Sequence, residues 1–87
     1  MPEENRIALL GIVVEDISSS EAINQLLHEC GDFIVGRMGI PYRKKGISII
    51  SVVLDAPQNV TSALSGRLGM LPGVNVKTIY ARNNITQ

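Results

Sequence analysis

Ile7-Ala-Leu-Leu-Gly-Ile-Val-Val14 is a run in which both alternating sets are apolar: Ile7, Leu9 and Val13 on one side, Ala8, Leu10, Ile12 and Val14 on the other. A strand apolar on both faces belongs inside a sheet, between two neighbours. Glu15 and Asp16 end it. Ser18, with Glu21 three residues later, has capping-box spacing. Ala22, Ile23, Leu26, Leu27 and Cys30 then follow helical spacing until Gly31 supplies a stop.

Downstream, Phe33 to Tyr42 reads as a second extended stretch, weakened by Gly36 and Gly39 and broken by Pro41, which suits a sheet edge. Arg43-Lys44-Lys45-Gly46 is a polar turn. Ile47-Ser-Ile-Ile-Ser-Val-Val-Leu54 is a third strand, β-branched and again apolar on both sides. Pro57 suits the first turn of a second helix carrying Val60, Ala63, Leu64 and Leu68 on one face. Thr61, Ser62, Ser65 and Gly66 are weak helix formers, so packing must hold that helix. Leu71-Pro72-Gly73-Val74 has proline then glycine where a type II turn wants them, and Val74 to Arg82 alternates as a final strand.

The order β-α-β-β-α-β predicts an α+β, ferredoxin-like sandwich: a four-stranded antiparallel sheet with two helices on one face. Strands one and three are expected at the centre, two and four at the edges. One domain over residues 6–82 is expected, with loose tails at 1–5 and 83–87. The second face of such a sheet would be apolar and bare. A face of that kind marks a partner surface, most simply another copy of the chain in a dimer or tetramer.

Composition narrows the function. The 87 residues are 45% apolar, 3% aromatic and formally uncharged, a small aliphatic domain burying roughly 60–65% of its unfolded surface. Phe33, Tyr42 and Tyr80 are the aromatics, and neutrality with so few stacking rings argues against direct nucleic-acid binding. One cysteine cannot form an internal disulfide. The longest apolar run is far short of a bilayer span, so no membrane partner is expected. Pro2-Glu3-Glu4-Asn5 is acidic where a signal peptide is positive, which points to the cytoplasm. The neutrality is a cancellation. Residues 1–32 hold seven acids and one base, a net −6; residues 33–87 hold seven bases and one acid, a net +6.

Two segments, Gly36-Arg-Met-Gly-Ile-Pro-Tyr-Arg-Lys-Lys-Gly-Ile-Ser-Ile-Ile-Ser-Val-Val-Leu-Asp-Ala-Pro57 and Leu64-Ser-Gly-Arg-Leu-Gly-Met-Leu-Pro-Gly-Val74, resemble a small bacterial family of regulators of the iron-only hydrogenase system. That family belongs to the ACT-like, ferredoxin-fold group. The similarity runs from about Arg6 to Arg82. It implies an oligomeric sensing or regulatory domain, related in fold to the C-terminal, ligand-binding domain of the nickel-responsive repressor. It carries over no catalytic residue and no cofactor.

Three groups of side chains are candidates for function. Glu15, Asp16, Ser18, Ser19 and Ser20 form the loop into the first helix, which in ACT-like domains frames a small-molecule site, and Arg37 stands with two glycines on the second strand. The helix's first amides suit an anion, but two acids just before them favour an amine or cation. Arg43, Lys44 and Lys45 cluster cationic charge at the second hairpin for an anion or a protein partner. His28 and Cys30 are metal-ligand types, yet residues two apart on a helix point about 200° apart, so one chain cannot chelate through both. Cys30 reads as a small core residue. A metal would need His28 from several subunits. With its one histidine on a helix face, the chain is expected not to be an enzyme. The expected function is a non-enzymatic, homo-oligomeric regulatory domain binding a small ligand or protein partner at a subunit interface. It lacks a helix-turn-helix of its own, so any part in transcription would need a partner. The alternatives are a transition-metal sensor with inter-subunit ligands and a purely structural assembly subunit.

Overall fold

The computed structural model describes residues 4–82. Four strands, β1 (Asn5–Val14), β2 (Ile34–Tyr42), β3 (Ile47–Pro57) and β4 (Val74–Tyr80), and two helices, α1 (Ser20–Glu29) and α2 (Gln58–Gly69), follow one another as β-α-β-β-α-β. Every strand pairing is antiparallel, and the sheet order is β2-β3-β1-β4. The two strands apolar on both sides are therefore the central pair, in the ferredoxin-like layout expected.

Register assigns each alternating set to a face. Ala8, Leu10, Ile12 and Val14 of β1 lie opposite Leu54, Val52, Ile50 and Ser48 of β3 and Tyr80, Thr78, Val76 and Val74 of β4. This set faces the helices. Leu10, Ile12, Val52 and Leu54 pack there with Ile23, Leu26 and Leu27 of α1 and Leu64 and Leu68 of α2 into one core. Phe33, Cys30 and Leu71 are half-buried at its margin.

Several boundaries differ from those the sequence suggested. Asn5, assigned to a tail, opens β1, pairing with Pro57 and donating from its side-chain amide to the Asp55 carbonyl at 3.3 Å. The remaining tail positions, 1–3 and 83–87, lie outside the described residues. The capping box of Ser18 and Glu21 does not form. A 3₁₀ turn, Ile17–Ser19, precedes α1, and Asp16 caps it by accepting from the Ser18 amide at 3.0 Å and the Ser18 hydroxyl at 2.6 Å. Asp is at least as strong a cap as Ser, and it stands one 3₁₀ turn earlier. Cys30 closes α1, so Gly31 opens a second 3₁₀ turn and β2 begins at Ile34. β2 also runs through Pro41 to Tyr42, because an edge strand need bond on one side only. Its irregularity is a register shift between Ile34 and Gly36.

Pro57 ends β3 and is the N-cap of α2 rather than its first turn, with φ −57° and ψ 145°. The face of α2 that is buried carries Thr61, Leu64 and Leu68; Val60 is half-buried and Ala63 exposed. Both sets have helical spacing, and packing selected the one containing a threonine. The Thr61 hydroxyl has no hydrogen-bond partner among the described residues. A buried unpartnered hydroxyl costs about 1–3 kcal/mol. Thr61→Val is therefore expected to stabilise the domain by about 1 kcal/mol, raising the urea midpoint at unchanged slope. A lower midpoint would contradict it.

Where β1 meets α1, the turn at Leu71-Pro72-Gly73-Val74 acts as a buttress. Gly73 has φ +67°, and the Val74 amide donates to the Leu71 carbonyl at 3.2 Å, as a type II turn requires. The Gly73 carbonyl accepts from the Glu15 amide at 2.7 Å, and the buried Ser19 hydroxyl donates to the Pro72 carbonyl at 2.6 Å.

Ile7, Leu9 and Val13 of β1, with their neighbours on β2, β3 and β4, face away from the helices. Ile7, Leu9, Met38, Ile40, Tyr42, Ile49 and Ile79 on this side are 39–65% exposed. The bare apolar face expected from the sequence is present in the chain.

Candidate functional site

The end of the sheet at the β2–β3 turn brings together segments distant in sequence. The β1–α1 loop supplies Glu15, Asp16 and Ile17, and the hairpin supplies Pro41, Tyr42, Arg43, Gly46, Ile47 and Ser48. With Val14 they line a cleft of about 750 Å³. A second hollow of about 290 Å³ adjoins it, sharing Val14, Pro41 and Ser48 and adding Ser20, Ile23, Asn24, Arg37, Gly39, Ile40 and Ile50. The helix layer stops short of β2, whose residues from Val35 to Tyr42 are all exposed. That gap leaves the groove open.

Glu15, Asp16 and Arg43 meet at the first hollow, Ser20 and Arg37 at the second. The Arg37 guanidinium donates to the Asn24 side-chain oxygen at 3.1 Å, tying β2 to α1. The Glu15 carboxylate accepts from the Asn75 side chain at 3.4 Å. Ser18 and Ser19 do not line the groove. The first serves the Asp16 cap and the second bonds the 71–74 turn. Lys44 and Lys45 stand exposed on the hairpin turn, outside both hollows. The groove's apolar lining was not anticipated as a site. Ile17, 79% exposed in an otherwise polar loop, was its one sequence signal; Tyr42 and Ile47 looked like ordinary strand residues.

Electrostatics separate the acids. The hydroxyl and amide of Ser18 hold the Asp16 carboxyl below its ordinary value of 3.8. Asp16 thus differs from Glu15, since one of its carboxylate oxygens is committed to the Ser18 cap. A depressed carboxyl contributes stability above its unfolded-state pKa, and that contribution is lost as pH falls through the folded value. Acidification below about 3.8 should therefore loosen the cap. Asp16→Asn, which keeps the acceptor without the charge, should remove this part of the acid dependence. Unfolding midpoints of both proteins between pH 5 and 2 check it; parallel curves would contradict it.

His28 is exposed on α1, away from the groove, and Cys30 is half-buried at the end of that helix. Burial pushes the Cys30 thiol up, the Glu29 carboxylate adds to the effect, and Arg67 partly offsets it. A thiol so placed is a poor nucleophile and a poor ligand at neutral pH. Among the described residues, no group of three or more His, Cys, Asp or Glu side chains could hold a metal ion. No helix among them is long and apolar enough to cross a membrane.

The uncharacterized protein TM1266 from Thermotoga maritima has a solved structure that matches with a TM-score of 0.87 and 38% identity, over 91% of this chain and 100% of that one. A formyltetrahydrofolate deformylase from Pseudomonas putida KT2440 matches with a TM-score of 0.63 and 15% identity, over 90% of this chain and 29% of that one. This second likeness is one of fold alone. No curated protein matches the chain. Residues 6–78 match the model of the TM1266-like family, described as "Iron-only hydrogenase system regulator, putative". With nearly the whole sheet and both helices inside that match, the chain belongs to the TM1266-like family of iron-only hydrogenase system regulators.

Proposed function

We propose that this chain is a non-enzymatic regulatory domain of an iron-only hydrogenase system, acting as a homo-oligomer that binds a small ligand beside the subunit contact. The observation that carries this reading is the uncovered apolar sheet face running into a charged cleft at its hairpin end. Apolar surface left in water forgoes about 25 cal/mol for each Å² that a second subunit would cover. The cleft combines apolar walls (Val14, Ile17, Tyr42, Ile47) with the Glu15 and Asp16 carboxylates and the Arg43 guanidinium. That chemistry suits a small amine with an apolar body, with Arg43 available to an acidic group on the same molecule. Family membership supports regulation rather than catalysis.

A thermal-shift screen with amines, amino acids, nucleotides and divalent metals tests the reading, because a ligand of the native state raises its apparent stability. An amine-bearing ligand should raise the midpoint, and Glu15→Gln with Arg43→Ala should abolish the rise. A flat response across the panel would reject ligand binding and favour a structural assembly subunit. Metal bound by the purified protein and lost on His28→Ala would favour the inter-subunit metal sensor instead. A monomer in light scattering at micromolar concentration would reject the oligomer.

A further inference from the structure

We infer that the second hollow, beside Arg37, is a carboxylate-binding subsite, so that the whole groove takes a linear zwitterion with an apolar spine. Its amine would sit at the Glu15 end and its carboxylate at the Arg37 end. This rests on the ligand-binding reading above and names the class of molecule.

The hollow owes its space to a glycine. On β2, Arg37, Gly39 and Pro41 lie opposite Val52, Ile50 and Ser48 of β3, which in turn lie opposite Leu10, Ile12 and Val14 on the helix-facing side. Gly39 therefore sits in the floor of the hollow, with Ile50 beside it and Ile23 of α1 as a wall. A glycine inside a strand weakens it, and it often marks a place where something approaches the backbone closely. Nothing among the described residues is that neighbour. A Cβ on Gly39 would meet the Ile50 Cγ1 at 4.0 Å, an ordinary contact. Glycine here leaves room that a side chain would fill.

The two hollows differ in charge. The first carries Glu15, Asp16 and Arg43; the second carries Arg37 with Asn24, Ser20 and Ser48, and no acid lines it. Arg37 is held by a neutral partner, the Asn24 side-chain oxygen at 3.1 Å. Among the described residues no carboxylate forms an ion pair with it. The amide orients the guanidinium without neutralising it and occupies only part of its donor fork. The remaining donors suit a planar carboxylate, which arginine binds bidentately. A phosphate ester's second charge would call for a further cation, and none lines the hollow.

Distance sets the length of the ligand. Pro41 and Ser48 are shared by both hollows, and Pro41 stands about 13 Å along β2 from Arg37. Glu15 lies beyond that junction, bonded by Asn75 of β4. An α-amino acid, with both charged groups on one carbon, fits within the first cleft and reaches Arg43 only. A molecule that reaches Arg37 must carry its charges at the two ends of a chain. Val14, Ile23 and Ile50 give that chain an apolar bed.

The experiment titrates the full chain with linear ω-amino carboxylates, from aminobutyrate to aminodecanoate, and with their neutral carboxamides, using calorimetry. Long acids should bind about 10-fold more tightly than their amides, the size of one charge-assisted pair. Short ones should show no such preference. Arg37→Gln should abolish the preference, and Arg43→Ala should still show it. Gly39→Val, with an unchanged circular-dichroism spectrum, should fill the hollow, weakening the long members and sparing the short. Loss of the preference in Arg43→Ala but not in Arg37→Gln would put the carboxylate in the first cleft and overturn the subsite. An equal preference at every length would do the same. Amides and acids that bind equally through Glu15 would remove this inference and leave the ligand-binding reading standing. If no member of either series binds, both fall.

Discussion

Gly73→Ala is expected to destabilise the domain by about 2–5 kcal/mol. The residue has φ +67°, and an added Cβ would stand 2.5 Å from the Asp16 Cβ and 2.8 Å from the Asp16 amide nitrogen. A left-handed non-glycine residue costs about 1–2 kcal/mol, and overpacking against a fixed neighbour adds about 1–3. Here the neighbour is backbone, so it cannot turn aside. Small domains have only about 5–15 kcal/mol in hand, so much of the stability would go. The β1–α1 loop would also be displaced, carrying Glu15 and Asp16 away from Arg43. Gly46 provides the control: it too has φ +67°, but a Cβ there meets nothing within 4 Å. Gly46→Ala should cost about 1 kcal/mol, through backbone conformation alone. Urea titrations of the two variants separate steric from conformational effects; equal losses would contradict the close approach at Asp16.

Leu10→Ala is expected to cost about 3–4 kcal/mol, and Leu9→Ala less than about 1, although the residues are adjacent and identical. Leu10 is completely buried between the sheet and both helices, whereas Leu9 is 39% exposed on the open face. Deleting a buried leucine loses transfer energy and leaves a cavity, typically about 2–5 kcal/mol; the exposed one loses part of the transfer energy and leaves no cavity. The comparison should be made by urea unfolding at low protein concentration, where association contributes least. If the proposed interface forms, the Leu9→Ala effect should grow with concentration and the Leu10→Ala difference should not. Equal losses in dilute solution would mean that the two faces of β1 have been exchanged.

Much of this architecture was legible without coordinates because its signals are local. The double-sided apolar pattern of Ile7–Val14 and Ile47–Leu54 marks central strands, and β1 and β3 are the central pair. Pro72-Gly73 has the turn chemistry that its positive φ requires. Local signals also misled where two solutions were locally equivalent. Asp16 and Ser18 are both good caps, and the 3₁₀ turn made Asp16 the one in use. On α2, Val60-Ala63-Leu64-Leu68 and Thr61-Leu64-Leu68 both repeat at helical intervals, and a polarity-based reading passes over the threonine that is fully buried.

The candidate site was legible only as pieces. Glu15 and Asp16 were visible as acids at a strand end, Arg37 and Arg43 as bases about twenty to thirty residues away. Nothing in their spacing says that they meet. The register of β3 on β1, with Ser48 opposite Val14, is what carries the hairpin to the β1–α1 loop. By itself the sequence determined the element order, the central strands, the Pro-Gly turn and the excess of apolar surface, because periodicity and turn chemistry act between near neighbours. Tertiary structure alone decided which stripe α2 buries, which residue caps the first turn and which charges share a cleft. Those outcomes depend on packing and strand register across the whole domain, where distant residues compete and no local pattern records the winner.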